Sequence, residues 1–380
     1  MDHETGRAFA YLSRVAEPPN PRLADLVASV GPVEAADRIR RRALDDARLA
    51  RATEARFDID RAGKDLEVLA RLGGRLVTAE DDEWPQLAFA SFRGVDNTQR
   101  PRAHQPLALW VAGPARLCDV AERAASIVGT RAATAYGEHV AADLAAGLVE
   151  RHVSVVSGAA YGIDGAAHRA ALASDGQTVA IMAAGIDVPY PSGHSALLHR
   201  VARHGLVVSE YPPGTRPTRR QFLTRNRLVA ALSGATVVVE AGARSGAANT
   251  AAWARALGRQ VGAVPGPITS SSSVGCHVLI DAGARLVTRA AEVVELVGRI
   301  GEFAPDVVRP VSEVDGLTDA ELAVYEALPG RGTRTLDEIA VGAGLAVSAV
   351  VGPLAMLDVR GLVTQVEGCW KVVRHGNGRR

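Results

Sequence analysis

Between residues 73 and 300 the chain repeats one pattern: a short apolar run, a glycine-bearing turn, then a stretch with apolar residues three and four apart. The clearest repeats are ASIVGTRAATAYGEHVAADLAAGLVERH, VSVVSGAAYGIDGAAHRAALASDG and QTVAIMAAGIDVPYPSGHSALLHRVARHG. Further strand-length runs follow at LVVSE, GATVVVEAG, RQVGAVPG and ARLVT, each beside a helical pattern. Strands joined through helices run parallel, and their crossover helices cover both faces of the sheet. The expected fold is α/β, a doubly wound, mostly parallel Rossmann-like sheet.

The flanks read differently. Residues 22–71 carry helical spacing, and residues 1–72 are expected to form a small helical domain. Within it, Val30-Gly31-Pro32 has the form of a helix-hairpin-helix turn, whose exposed amides can meet phosphate. Ten basic against eleven acidic residues in the first sixty favour protein packing equally well. After Gly73-Gly74 come two β-like runs, RLVTAEDDEWPQLAF and PLALWVAGP. Residues 301–316, with two prolines and little periodicity, read as a linker. Residues 317–380 read as a winged helix: three helical segments, then a hairpin around Glu367-Gly368.

A length of 380 residues and 47% apolar composition can fill such cores. No run of 18 or more uncharged apolar residues exists, and MDHETGRAFAYL opens with acids rather than a basic segment and an apolar core. The expectation is a cytoplasmic protein with no membrane contact. Cys118, Cys276 and Cys369 lie far apart without CxxC spacing, so neither a disulfide framework nor a metal site is expected.

Charge is concentrated. Residues 211–280 hold eight arginines and one acid, Glu240, a net of +7 where the whole chain carries +1. Arg219, Arg220, Arg225 and Arg227 flank one aromatic, Phe222; guanidinium forks and a ring suit phosphates and unstacked bases. In a doubly wound sheet, ligands bind outside the carboxyl ends of the strands. Three small-residue turns belong there: one with Gly129 and Arg131, one with Ser157 and Gly158, one with Ser245 and Gly246. Together they are expected to form one anion-binding rim. None is a GxGxxG or GxxxxGK[ST], so a nucleotide cofactor is not expected. Asp164 and His168, four residues apart, read better as a helix cap and a packed imidazole than as a catalytic or metal pair.

The stretches SIVGTRAATAYG, SGAAYGIDGAAHRAAL, AGIDVPYPSGHSALL, SEYPPGTRPTRRQFLTRNRLVAALS, VVVEAGARSGAANTAAWARALGRQVGAVPGP and the SVGCHVLIDAGA run closely resemble the DNA-processing protein A (DprA/Smf) family, in family order from Ser126 to Ala284. The resemblance implies a non-enzymatic, dimeric binder of single-stranded DNA that loads RecA recombinase onto incoming strands in natural transformation or recombination. Carried over by position, the implied DNA contacts are Arg131, Ser157, Gly158, Phe222, Arg225 and Asn226; Gly129, Arg227, Ser245 and Gly246 join them from the rim and the basic run. Arg225→Ala is expected to weaken binding without unfolding. The sequence departs from the family pattern in carrying Tyr161 where many members have lysine, and His194 where asparagine is common. It also has Leu223-Thr224 inside the FPxRN pattern, and Ser245-Gly246-Ala247-Ala248-Asn249-Thr250 in place of SGSLIT.

The competing class is a Rossmann-like nucleoside monophosphate phosphoribohydrolase. That group carries PGGxGTxxE, whereas the corresponding turn here, AGARSGAANTAAWA, has no acid after Thr250. Residues 317–373 carry seven acids against four bases, and the segment AVSAVVGPLAMLDVR has almost no side chain for base edges or phosphates. The C-terminal module is therefore expected to pack on protein rather than read duplex DNA.

Overall fold

The structure, a computed structural model, describes residues 2–243, 245–298, 314 and 316–373. It divides into two compact units, Met1–Phe303 and Ala304–Arg380. The expected 301–316 linker lies outside the described residues except for Val314 and Gly316.

The first unit opens with five helices: α1 (His3–Val15), α2 (Pro21–Val30), α3 (Pro32–Arg40), α4 (Ala47–Thr53) and α5 (Ala62–Arg71). Gly31, at φ +83, lets α2 and α3 meet with no other residue between them. Then come β1 (Gly74–Thr78), α6 (Gln86–Ala90), β2 (Ala108–Ala112), α7 (Leu117–Glu122), β3 (Ala124–Val128), α8 (Ala135–Val149), β4 (Ser154–Ser157) and α9 (Ile163–Ala173). They are followed by β5 (Thr178–Met182), α10 (Ser195–His204), β6 (Leu206–Ser209), α11 (Arg219–Ala231), β7 (Ala235–Val238) and α12 (Gly246–Ala256). The unit closes with β8 (Gln260–Ala263), α13 (Val274–Asp281), β9 (Arg285–Leu286) and α14 (Ala290–Val297).

The nine strands form one sheet in the order β1-β2-β6-β5-β4-β3-β7-β8-β9. It is parallel from β6 to β9, and β1 and β2 extend it antiparallel beyond β6. Alternation along a central strand assigns the two faces. On β3, Ala124 and Val128 join one core with α11 and α12, whereas Ala125 and Ile127 join the other with α8, α9 and α14. The run RLVTAEDDEWPQLAF departs from its β-like reading after Thr78. There the Asp81 carboxylate accepts from the Thr78 amide (2.8 Å) and hydroxyl (2.9 Å), turning the chain, and the remainder becomes α6.

The five N-terminal helices share a core with the sheet extension: Phe9, Tyr11, Leu12, Ile39 and Leu69 pack with Leu76 of β1 and Trp110 of β2. Arg14 of α1 pairs with Asp65 of α5 at 2.7 Å and donates to the Pro213 carbonyl at 2.6 Å. This ties the helices to the loop ahead of α11.

The second unit contains α15 (Asp319–Glu326), α16 (Leu336–Ala343), α17 (Val347–Val359), β10 (Val363–Val366) and β11 (Cys369–Val372). Thr318 and Thr335 each close a capping box with a glutamate three residues on. Glu367 and Gly368, both at positive φ, make the tight turn of the β10–β11 hairpin. Val324, Ile339, Val350, Leu354 and Leu357 form its separate core. Among the described residues no single helix is long and apolar enough to cross a membrane.

Candidate nucleic-acid interface

The sheet order places a topological switch between β3 and β7: β4, β5 and β6 follow on one side of β3, and β7, β8 and β9 on the other. A crevice opens outside the carboxyl ends of strands at such a point. Here it is a cleft of about 900 Å³, lined by Gly129 and Arg131 after β3, Gly158 after β4, Ser245 and Gly246 after β7, and one face of α11.

The three turns are locked together. The Thr130 amide donates to the Glu240 carbonyl at 2.7 Å, while the Glu240 carboxylate accepts from the Thr134 hydroxyl at 2.6 Å and amide at 2.9 Å. The one acid of the basic stretch is thus buried as a loop anchor. Gly162, at φ +71, lets the second turn pass so close that a Cβ there would lie 2.3 Å from the Thr130 carbonyl oxygen. At Gly158 a Cβ would lie 2.2 Å from an Arg225 guanidinium nitrogen. Asp164 closes the floor, its carboxylate accepting from the amides of Gly158 (3.2 Å) and Ala160 (3.3 Å). Burial pushes its pKa up, against the pull of Arg225 and of these amides.

Helix α11 starts at a Thr218–Gln221 capping box and turns Arg219, Phe222, Leu223 and Asn226 toward the cleft. Phe222 is half-buried, lies 5.3 Å from the Tyr190 ring, and has the Arg131 guanidinium 5.0 Å from its centroid. Arg131 and Arg219 are exposed and have no ion-pair partner among the described residues. Helix α12 points its first turn at the same space, with Ser245 as its N-cap, so backbone N–H groups add to the positive rim. Cationic forks, amides and a tilted ring pair in one cleft can hold phosphate oxygens on the rim and a flat base against Phe222.

Of the ten residues singled out from the sequence, eight line the cleft: Gly129, Arg131, Gly158, Phe222, Arg225, Asn226, Ser245 and Gly246. The other two do not reach it. Ser157 is fully buried, its hydroxyl donating to the Ile127 carbonyl at 2.6 Å. Arg227 is 0% exposed and spends its fork on Glu210, at 2.6 and 2.9 Å. As α11 advances about 100° per residue, Arg227 sits about 140° around the helix from Phe222, on the core side.

Arg225 plays a structural part as well. It lines the cleft but is only 5% exposed, and its guanidinium donates to the carbonyls of Gly158, at 2.6 Å, and Ile181. Burial lowers its pKa to about 10, with Asp164 opposing the shift, so it stays cationic at neutral pH. Truncating it removes a buried bridge between the Gly158 and Ile181 carbonyls, so Arg225→Ala is expected to cost stability as well as binding. Asn226 is committed too, donating to Asn249 at 3.1 Å and to the Gly246 carbonyl at 3.3 Å, which joins α11 to α12.

Arg219, expected in the basic run but not among the ten, and Tyr190, not singled out at all, also line the cleft. The capping-box spacing Thr218-x-x-Gln221 contained the signal for Arg219, since it phases Arg219, Phe222 and Asn226 onto one face. Tyr190 reaches Phe222 across the fold and left no local signal. The two departures Tyr161 and His194 pack on each other, ring centroids 4.8 Å apart, with Tyr161 45% exposed beside the cleft rather than lining it.

Comparisons with known proteins agree with this architecture. The family model for DNA recombination-mediator protein A matches residues 75–298. A Mycobacterium tuberculosis protein bearing the DprA DNA-processing name is 66% identical over 379 residues, covering 100% of this chain and 97% of its own length. Protein Smf of Escherichia coli is 36% identical over 246 residues, 64% of this chain and 66% of its own. Among solved structures, the DNA processing protein A of Streptococcus pneumoniae superposes with a TM-score of 0.63 at 28% identity, covering 78% of this chain and 99% of that one. The Helicobacter pylori protein, described for its single-stranded DNA binding mode, gives 0.50 at 27% identity over 58% of this chain and 94% of that one. The chain belongs to the DNA recombination-mediator protein A family.

Proposed function

We propose that this chain binds single-stranded DNA in the cleft at the β3–β7 switch point and acts as a recombination mediator that hands the strand to RecA. The observation that carries the reading is the pairing of unneutralised Arg131 and Arg219 with the Phe222–Tyr190 ring pair in one cleft. Phosphates would take the guanidinium forks and the α12 amides; bases would stack on Phe222 without being read edge by edge, so little sequence preference is expected. The family description, a DNA recombination mediator, supports a role in recombination. Among the described residues the one carboxylate lining the cleft, Asp164, is turned onto backbone amides, which favours binding over catalysis and over the phosphoribohydrolase alternative.

The protein works as a homodimer in this reading. Leu286 of the short edge strand β9 is exposed, and an exposed apolar residue on an open edge is of the kind that self-association covers. The order of α15, α16, α17 and the β10–β11 hairpin supports a winged helix after a linker, and the absence of any single spanning helix among the described residues is compatible with a cytoplasmic setting.

A salt titration tests the central claim. Binding of poly-dT by the full chain should weaken with salt with a log–log slope of roughly −0.7 per neutralised phosphate, about −3 for four contacts. A salt-independent affinity, or a clear preference for duplex, would overturn it.

A further inference from the structure

Helices α11 and α12 border a second concavity. Arg219 of α11 lines the main cleft and its neighbour Arg220 lines the other; on α12, Thr250 lines the cleft and Trp253, three residues on, the other. This second concavity measures about 490 Å³ and is completed by Arg100 and Arg102. The Arg100 guanidinium lies over the Trp253 indole, 5.0 Å from the ring centroid. No ion pair holds Arg100, Arg102 or Arg220 among the described residues, and the single acid of the lining, Glu17, is engaged by Arg56 at 3.3 Å and by the Gln221 side chain at 3.2 Å. The segment bearing the two arginines is fixed. Its Arg100 amide donates to the Asp96 carbonyl at 3.0 Å, and the Arg102 carbonyl accepts from buried Arg227 at 3.1 Å. Arg227 thus braces the second concavity from beneath.

We infer that Arg100, Arg102, Arg220 and Trp253 form a second subsite for the same single-stranded DNA, entered by the strand after it leaves the main cleft over the first turn of α11. The inference rests on the cleft reading above. Three uncompensated forks suit successive phosphates, and because Trp253 is only 6% exposed, an unstacked base would meet the Arg100 guanidinium held over the indole rather than the indole itself. A strand too short to pass α11 occupies only the cleft, so the subsite acts through strand length.

The test uses the full chain with fluorescent dT oligomers of about 5 and about 25 nucleotides, bracketing common single-strand site sizes. Triple substitution Arg100→Ala, Arg102→Ala, Arg220→Ala should lower affinity for the longer oligomer about tenfold or more and flatten its salt slope by about 2, leaving the shorter within about twofold. Exposed Arg220→Glu alone should show the same length dependence without loss of thermal stability, which guards against misfolding of the triple variant. Unchanged affinity for the longer oligomer would overturn the subsite and leave the patch to an acidic protein surface. Equal loss at both lengths would overturn it as well, because the patch would then be part of one undivided site. Failure of the unaltered protein to bind either oligomer would instead remove the cleft reading, and the subsite with it.

Discussion

Three arginines singled out from the sequence, one on the turn after β3 and two on α11, meet three environments, and burial decides what each does. Arg131 projects into solvent beside Phe222, Arg225 is folded onto two carbonyls, and Arg227 is sealed against Glu210. Removing one partner of a buried ion pair strands the other charge, at a cost of about 3–5 kcal/mol, whereas replacing both by apolar groups of similar volume is often nearly neutral. Arg227→Met should therefore cost about that much in urea denaturation, and adding Glu210→Leu should recover most of it. Full stability in the single variant would refute this account of Arg227. His168 carries a pH prediction. Fully buried, with Nδ1 2.7 Å from the Thr178 hydroxyl, it is held from 6.5 down to about 3, chiefly by burial and then by His194, Arg225 and Arg169. The unfolded chain takes up a proton as pH falls through about 6.5 while the folded chain refuses it until about 3, so stability is present above 6.5 and lost progressively between these values. His168→Asn, which can keep the Thr178 contact, should flatten the acid limb of the stability curve by up to about 1.4 kcal/mol per pH unit. An unchanged limb in melting curves from pH 7 to pH 4 would count against it.

At the scale of elements, α11 decides whether binding and folding can be separated. Its cleft face bears Arg219 and Phe222 with little else depending on them, while Arg225 on the same face supports the β4 and β5 ends through Gly158 and Ile181. Phe222→Ala should cost about 1–3 kcal/mol in single-strand affinity through lost stacking, and Arg219→Ala about 1.5–3 kcal/mol through a lost charge-assisted contact, both at nearly constant Tm. Arg225→Ala should lower affinity and Tm together. Equal Tm losses in all three would make the face structural throughout. The parallel strands and their glycine turns were legible because each repeat carries its own punctuation, and eight of the chosen site residues sit on those turns or on the cleft face of α11. What was not legible was direction. A run such as RRQFLTRNR looks basic all round until its cap fixes the helical phase, and Ser157 looks like a contact until the end of β4 turns its hydroxyl inward. The antiparallel β1–β2 extension was hidden for another reason: its pairing partner, β6, lies about a hundred residues away in sequence.

For the whole molecule, the question is whether strand binding needs both compact units. Residues 211–280 carry a net of +7, while residues 317–373 carry seven acids against four bases. Helix α17, where a winged helix would read duplex DNA, exposes Val347, Val351, Met356 and Val359, and the neighbouring helix adds Val341. Apolar side chains in those positions offer nothing to the base edges of the major groove and nothing to phosphates. An acidic surface also repels the polyanion at any ionic strength where charge is felt, while exposed apolar side chains are what a protein partner covers. Deleting residues 317–380 should accordingly leave affinity for poly-dT within about threefold, or raise it, since a threefold change is under about 1 kcal/mol. The excised module should fail to retard duplex DNA at physiological salt. Arg374, Arg379 and Arg380 leave with the deletion, so a truncation at residue 373 is the necessary companion: if it alone reproduces a loss of affinity, the tail charges contribute and the folded module does not. Sequence-specific retention of duplex by residues 317–373 would reverse the assignment, because it would require base contacts that the exposed face of α17 lacks.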